Sequence, residues 1–275
     1  MYKRILIALD LEGVNNVAGE PYMALSKQTE QWFVAREQAI VEVNAAAEAL
    51  FDAGAERVAL WDNHGGSNNI EADKLDSRIQ LLSPDLKQPR MSFAKGEFDC
   101  ICYFGYHAME GTLGGVLAHT MSSKTVQYYK LNGRYIGEID MDAYIAAEQG
   151  MPSRFFAGGN IACAQAKLAV GDIVTVMTKK ELERNLAEFR DNGELVSDIK
   201  TKIVEAVNTD GCAKKLTFPA TMEKSFKRVE DAAKYLQRLY TSGIESAYLD
   251  DEILGKDAHT VVSTVYNINE FIKCI

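Results

Sequence analysis

The chain has 275 residues, of which 47% are hydrophobic and 25% charged, an ordinary globular composition with room for one large domain or two modest ones. A net charge of -9 and a pI near 5.1 give no electrostatic footprint for phosphate backbones, which excludes nucleic acid and anionic membrane as favoured partners and points to a small molecule or a peptide. No apolar stretch reaches the length of a membrane span, the run from Ile5 to Leu9 is too short for export, and five cysteines without a CxxC pair fit a reducing, cytoplasmic setting.

Residues 3–9 form a short, continuous apolar run that predicts a buried strand, stopped by Asp10-Leu11-Glu12-Gly13. Residues 13–25 lack a period and predict a loop. From 29 to 53, Phe33, Ile40, Val43, Ala47 and Leu50 recur at helical spacing, with Gly54 where a helix commonly ends. Strands are predicted at 57–61, ending in Asp62-Asn63-His64-Gly65-Gly66, at 79–82, and at 99–104, ending in Gly105-Tyr106-His107. Cys100 and Cys102 share one face of the last of these and read as small core residues. Strand, helix, strand in this order predicts an α/β fold with a mostly parallel sheet flanked by helices.

The Gly-rich connection 108–117 reads equally as a mobile gate or as a plain turn, and leads to His119-Thr120-Met121-Ser122. Strands at 126–131 and 134–139 flank Asn132-Gly133, a tight hairpin signal, with Glu138 in the returning strand. A helix follows at 140–149 and a strand at 154–157. Beyond Gly171 come a strand at 172–177 and charged helical sequence over 179–208. Strands at 215–218 and 221–226, a helix at 229–240 and a strand at 260–265 complete the chain. The expected division is a catalytic α/β domain over residues 1–171 and a smaller C-terminal α+β subdomain over 172–275, which walls the site and makes subunit contacts.

In a parallel sheet, ligands bind beyond the carboxyl ends of the strands, where Asp10, Glu12, His64 and His107 all fall. Each has an ordinary alternative taken alone: Asp10 and Glu12 as a turn and cap, His64 as a turn residue, His107 as a buried imidazole bonded to a carbonyl. Only four histidines exist, and two of them follow strands neighbouring the one that carries both carboxylates. That coincidence favours a common metal site. Carboxylates with imidazoles suit Zn, and equally Mn, Co or Ni, and the absence of cysteine favours a catalytic over a structural site. His119 suits a general base, a proton shuttle or an oxyanion donor. Glu138 is open between ligand and solvated charge, and His259 reads as a solvated loop residue without a role.

The series Asp10-Leu-Glu12-Gly13, Asp62-Asn-His64-Gly, Gly105-Tyr106-His107-Ala108, His119-Thr-Met-Ser and Asn132-Gly-Arg-Tyr-Ile-Gly137-Glu138 resembles the D-aminopeptidase family of zinc metallopeptidases over most of the first 160 residues. Leu11 stands where that family usually has methionine, and Gly158-Gly159-Asn160-Ile161 where it has an acidic stretch. The resemblance implies two Zn2+ per subunit, with Asp10 bridging, Glu12 and His107 completing one ion, and His64 and Glu138 the other. It implies that His119 is catalytic, that the substrates are short peptides with an N-terminal D-residue, and that subunits form a ring-like homodecamer. Two other functions use the same residues: a two-metal amidase or phosphoesterase of another substrate class, and a non-catalytic peptide- or metal-binding protein.

Overall fold

The computed structural model describes residues 1–19, 25–211 and 213–275, so part of the loop expected over 13–25, and Cys212, lie outside the described residues. In chain order the elements are β1 (Arg4–Leu9), α1 (Glu30–Asp52), β2 (Arg57–Asp62), β3 (Gln80–Leu82), β4 (Cys100–Tyr106), β5 (Val126–Leu131), β6 (Arg134–Ile136), α2 (Glu138–Glu148), β7 (Ser153–Gly158), α3 (Asn160–Val170), β8 (Val174–Met177), β9 (Lys179–Glu183), β10 (Leu186–Phe189), α4 (Asn192–Asn208), β11 (Ala220–Phe226), α5 (Val229–Thr241), β12 (Ser246–Asp251), β13 (Gly255–Val265) and α6 (Ile268–Cys274).

Six strands form a parallel sheet in the order β3-β2-β1-β4-β7-β8. The apolar runs of β1, β2 and β4 are continuous because both faces are covered. Ile5, Ile7 and Leu9 enter the core shared with α1 and α4, along with Val58, Leu60, Cys100 and Cys102. Leu6, Ala8, Ala59 and Tyr103 point the other way, toward α2, α3 and a second sheet. That sheet is antiparallel, ordered β12-β13-β11-β5-β6, and β9 with β10 makes a separate hairpin. Sheet membership interleaves about Gly171: β8 joins the parallel sheet from beyond it, while β5 and β6 precede it and join the antiparallel one. No described helix is long and apolar enough to cross a membrane.

Several expected elements differ. Phe33 is 49% exposed: it lies off the buried face of α1, its ring edge against Trp32. Residues 179–189 form the β9–β10 hairpin instead of helix, and only 192–208 is helical. Residues 215–218 are not a strand, while α3, β12 and α6 add to the expected elements. His259 lies in β13, half-buried, its Nδ1 2.9 Å from the Phe226 carbonyl oxygen.

Candidate metal centre

Asp10 leaves the carboxyl end of β1 with its N–H still bonded to the Phe104 carbonyl of β4, at 2.8 Å. The chain then crosses the end of β4 at a separation only glycine permits. A Cβ on Gly13 would stand 2.0 Å from the Tyr106 carbonyl oxygen, and one on Gly105, at φ +69°, 1.9 Å from the Asp10 carbonyl oxygen. Lys179 of β9 is buried and donates from Nζ to the carbonyls of Glu12 at 2.5 Å, Val14 at 3.1 Å and Val17 at 2.6 Å, while Thr178 donates to that of Gly13 at 2.5 Å. The loop carrying both carboxylates is therefore clamped from a strand more than 160 residues later in the chain.

His64 stands in the turn after β2. Asp62, buried at the strand end, accepts from the Asn69 N–H at 2.6 Å and its side-chain amide at 3.0 Å, and that amide also donates to the His64 carbonyl at 2.9 Å. Asp62 thus shapes the turn that presents His64. The Nδ1 atom of His64 lies 2.9 Å from Asp10 Oδ1 and 3.1 Å from Glu12 Oε2.

His107 follows β4, and its Nδ1 lies 2.9 Å from the Ala108 carbonyl oxygen. An imidazole facing a carbonyl donates to it, so Nε2 carries the lone pair when the ring is neutral. This buried Nε2 makes no hydrogen bond, although Glu138 Oε1 lies at 3.4 Å and Asp10 Oδ2 at 3.6 Å. His119 repeats the arrangement, with Nδ1 2.8 Å from the Leu117 carbonyl oxygen and Nε2 4.0 Å from Glu138 Oε1. The two rings stack with centroids 3.9 Å apart and planes 9° from parallel.

Glu138 is the first residue of α2, not part of the returning hairpin strand. Asp140 accepts from the Gly137 N–H at 2.9 Å, which starts the helix there and turns Glu138 into the site. Its Oε1 also accepts from the Met121 N–H at 2.7 Å, tying it to the segment that carries His119. One turn further along α2, the fully buried Asp142 accepts from the Tyr106 hydroxyl at 2.7 Å and from Arg90 through both carboxylate oxygens, at 2.6 and 2.8 Å. Asn63 donates to the Tyr106 hydroxyl at 3.0 Å. This network joins the neighbours of His64, His107 and Glu138. Sequence reasoning missed Arg90, Asp142 and Lys179; Asp142 alone had a signal, its one-turn spacing from Glu138.

Asp10, Glu12, His64, His119 and Glu138 line one pocket of about 300 Å³, with His107 buried at its base. Burial and the neighbouring Glu12 push the Asp10 carboxyl up to about 8. Burial acts on Glu12 in the same sense, but His64 outweighs it and holds this carboxyl well below its usual range. Burial pulls both His64 and His107 down, yet their carboxylate neighbours outweigh it and push them up to about 12 and about 10. At Glu138, His107 overcomes burial and brings the carboxyl down to about 2. Burial, then the nearby His107, lower His119.

The residues fit a metal. Three carboxylates and three imidazoles converge, and donor atoms of Asp10, Glu12 and His107, and of His107, His119 and Glu138, lie within 4.8 Å of one another. The orphaned Nε2 of His107 is buried among carboxylates, and the neutral ring would present its lone pair there to a bound cation in place of a proton. Asp10 turns Oδ1 toward His64 and Oδ2 toward His107. Glu12 lies nearest to His64, at 3.1 Å, and Glu138 nearest to His107, at 3.4 Å, while Asp10, Glu12 and His107, the set the resemblance implies for one ion, also offer donor atoms within 4.8 Å of one another.

Comparison with known proteins agrees with the motif series. A D-aminopeptidase of Bacillus subtilis (strain 168) is 25% identical over 221 residues, 78% of each chain. The solved structure of the Zn-dependent D-aminopeptidase DppA from Bacillus subtilis, a self-compartmentalizing protease, shares the fold with a TM-score of 0.84 over 98% of this chain and 94% of that one, at 20% identity. The D-aminopeptidase family model matches residues 3–248, nearly the whole length, and the chain belongs to that family.

Proposed function

We propose that the protein is a metal-dependent aminopeptidase that releases an N-terminal D-amino acid from short peptides, with two zinc ions held per subunit. The convergence of Asp10, Glu12, His64, His107 and Glu138 around the orphaned Nε2 of His107, in a member of this family, carries the reading. Asp10 has one oxygen facing each side and suits a bridge. Glu12 with His64, and Glu138 with His107, complete the two sides. Bound zinc supplies Lewis-acid polarisation of the scissile carbonyl and a water whose pKa falls to roughly 7.

His119 serves as the general base. Its Nδ1–H is committed to the Leu117 carbonyl, so Nε2 faces the pocket as an acceptor, and the lowered basicity keeps it neutral near pH 7. It takes a proton from the attacking water and returns it to the leaving amine. We take the assembly to be a closed homodecamer in the cytoplasm; DppA is described as self-compartmentalizing, and the four described cysteines here are free and buried.

The test is metal analysis with hydrolysis of D- and L-alanyl peptides. Purified protein should carry about two ions per chain. His119→Ala should retain them and lose on the order of 10²- to 10⁴-fold in kcat. Native protein free of metal overturns the reading. Because His107, His119 and Glu138 also form a cluster of donors, loss of one ion in His119→Ala would make that histidine a ligand instead of a base.

A further inference from the structure

Beside the metal pocket lies a second, larger cleft of about 910 Å³. The two adjoin: Asn63, Gly65, Arg90 and Met121 line both. The metal pocket carries three carboxylates, Asp10, Glu12 and Glu138, beside Lys124 and Arg90, whereas the charged side chains of the cleft are Lys87, Arg90, Arg238 and Lys273 against a single side-chain carboxylate, Asp85. A cationic cleft is unexpected in a chain of net charge -9.

The cations differ in availability. Arg90 at the seam is neutralised by its two-point bond to Asp142. Arg238 and Lys273 sit at the far wall, on α5 and α6, both exposed and without a carboxylate partner among the described residues. Arg238 donates from one Nη to the Lys273 carbonyl at 3.0 Å, which ties the two helices together and leaves the rest of its five-donor fork for a ligand. The Ile275 carbonyl oxygen at the same wall accepts from Lys224 at 2.7 Å and Tyr129 at 2.9 Å.

A free peptide is a dipole, ammonium at one end and carboxylate at the other. The pocket's carboxylates are committed to the ions of the peptidase reading, so the cationic side chains of the adjoining cleft are what is left to meet the carboxylate end. We propose that the cleft binds the carboxyl-terminal, leaving-group part of the substrate, and that Arg238 and Lys273 recognise its free carboxylate. The proposal rests on the peptidase reading and narrows it to short peptides with an unmodified carboxyl terminus. Trp61, Phe93 and Ile272 supply apolar wall for the intervening side chains.

The experiment compares D-alanyl peptides of two to five residues, as free acids and as carboxyl-terminal amides, on the metal-loaded full chain. At the best-fitting length the acid should exceed the amide in kcat/KM by about tenfold, the worth of one or two charge-assisted hydrogen bonds. In Arg238→Gln/Lys273→Gln this preference should vanish through KM, with amide hydrolysis within about twofold of wild type. Arg238→Glu should invert it. Equal hydrolysis of acid and amide by the wild type overturns the inference and leaves the peptidase reading standing. If neither is hydrolysed, that reading fails, and calorimetric binding of the same pair to His119→Ala still decides the cleft: equal affinity overturns it. A double variant that keeps the acid preference but changes its sedimentation assigns the cleft to a subunit interface and also overturns it.

Discussion

The two sides of the candidate metal centre are built from different materials. On one side, Asp10, Glu12 and His64 hang on loops beyond adjacent parallel strands, two carboxylates to one imidazole, and are held by Lys179, Thr178 and Asn69. On the other, His107 and His119 stack in matching orientation over a single carboxylate, Glu138, at a helix start. The first side holds positive charge firmly: His64 is pushed up to about 12. On the second, the stacked pair cannot both be charged at low cost, and His119 falls below its usual value. One constellation can thus supply both a cation anchor and a neutral base, because the carboxylates are shared unequally.

The most disruptive way to break that contrast is to remove the residue common to both sides. Asp10→Ala should lose both ions and all measurable turnover, since its two oxygens face the two sides. Glu12→Ala should weaken only the ion beside His64, leaving about one ion per chain by mass spectrometry. Equal retention in the two variants would contradict the division.

A smaller effect sharpens it. Lys179→Met removes the donor shared by three carbonyls of the loop carrying Glu12, and should loosen the first side alone. Metal affinity there should fall about 10- to 100-fold, with a stability loss of about 1–3 kcal/mol. Titration with a chelator should reveal one weakened and one unchanged ion; parallel weakening of both would show that the sides are not independently held.

The smallest effect on metal binding concerns Glu42 of α1, which accepts from the Asn15 N–H at 2.9 Å and the Gln38 amide at 3.1 Å behind the same loop. Burial pushes its carboxyl from 4.5 up to about 7, against the opposing pull of those donors and Lys179. A folded-state value above the unfolded one means that folding retains a proton between the two. The stabilisation is complete below about pH 4.5 and lost as pH rises through 7, a change on the order of 3 kcal/mol. Glu42→Gln should flatten this part of the urea-midpoint profile between pH 4.5 and 8. An unchanged slope would place the titration elsewhere.

The chain's second half shows where sequence patterns mislead. In β9 the charged Lys179 and Glu181 are buried while Lys180 and Leu182 face solvent, an inversion of the usual alternation. A run of charge reads as a solvated helix when nothing local says otherwise. Glu181 is drawn inward because its carboxylate accepts from the Val116 and Ile161 N–H groups, both at 2.8 Å. The same contact ties down one end of the Gly-rich connection 108–117, whose Leu113 is nonetheless 97% exposed. Glu138 misleads in another way: the apolar alternation of the hairpin runs on to Ile139, and only the Asp140 cap stops the strand at Ile136.

By itself the sequence determined the strands and their carboxyl ends, because fully buried parallel strands must be short apolar runs and the polar residues that stop them must lie together at one edge of the sheet. That places Asp10, Glu12, His64 and His107 in one neighbourhood on local pattern alone. Only the tertiary structure decided which imidazole faces which carboxylate, which nitrogen is left as the acceptor, and what holds each loop. Those features depend on approaches of a few ångströms between segments up to 167 residues apart, such as Lys179 on Glu12, and no local pattern encodes them.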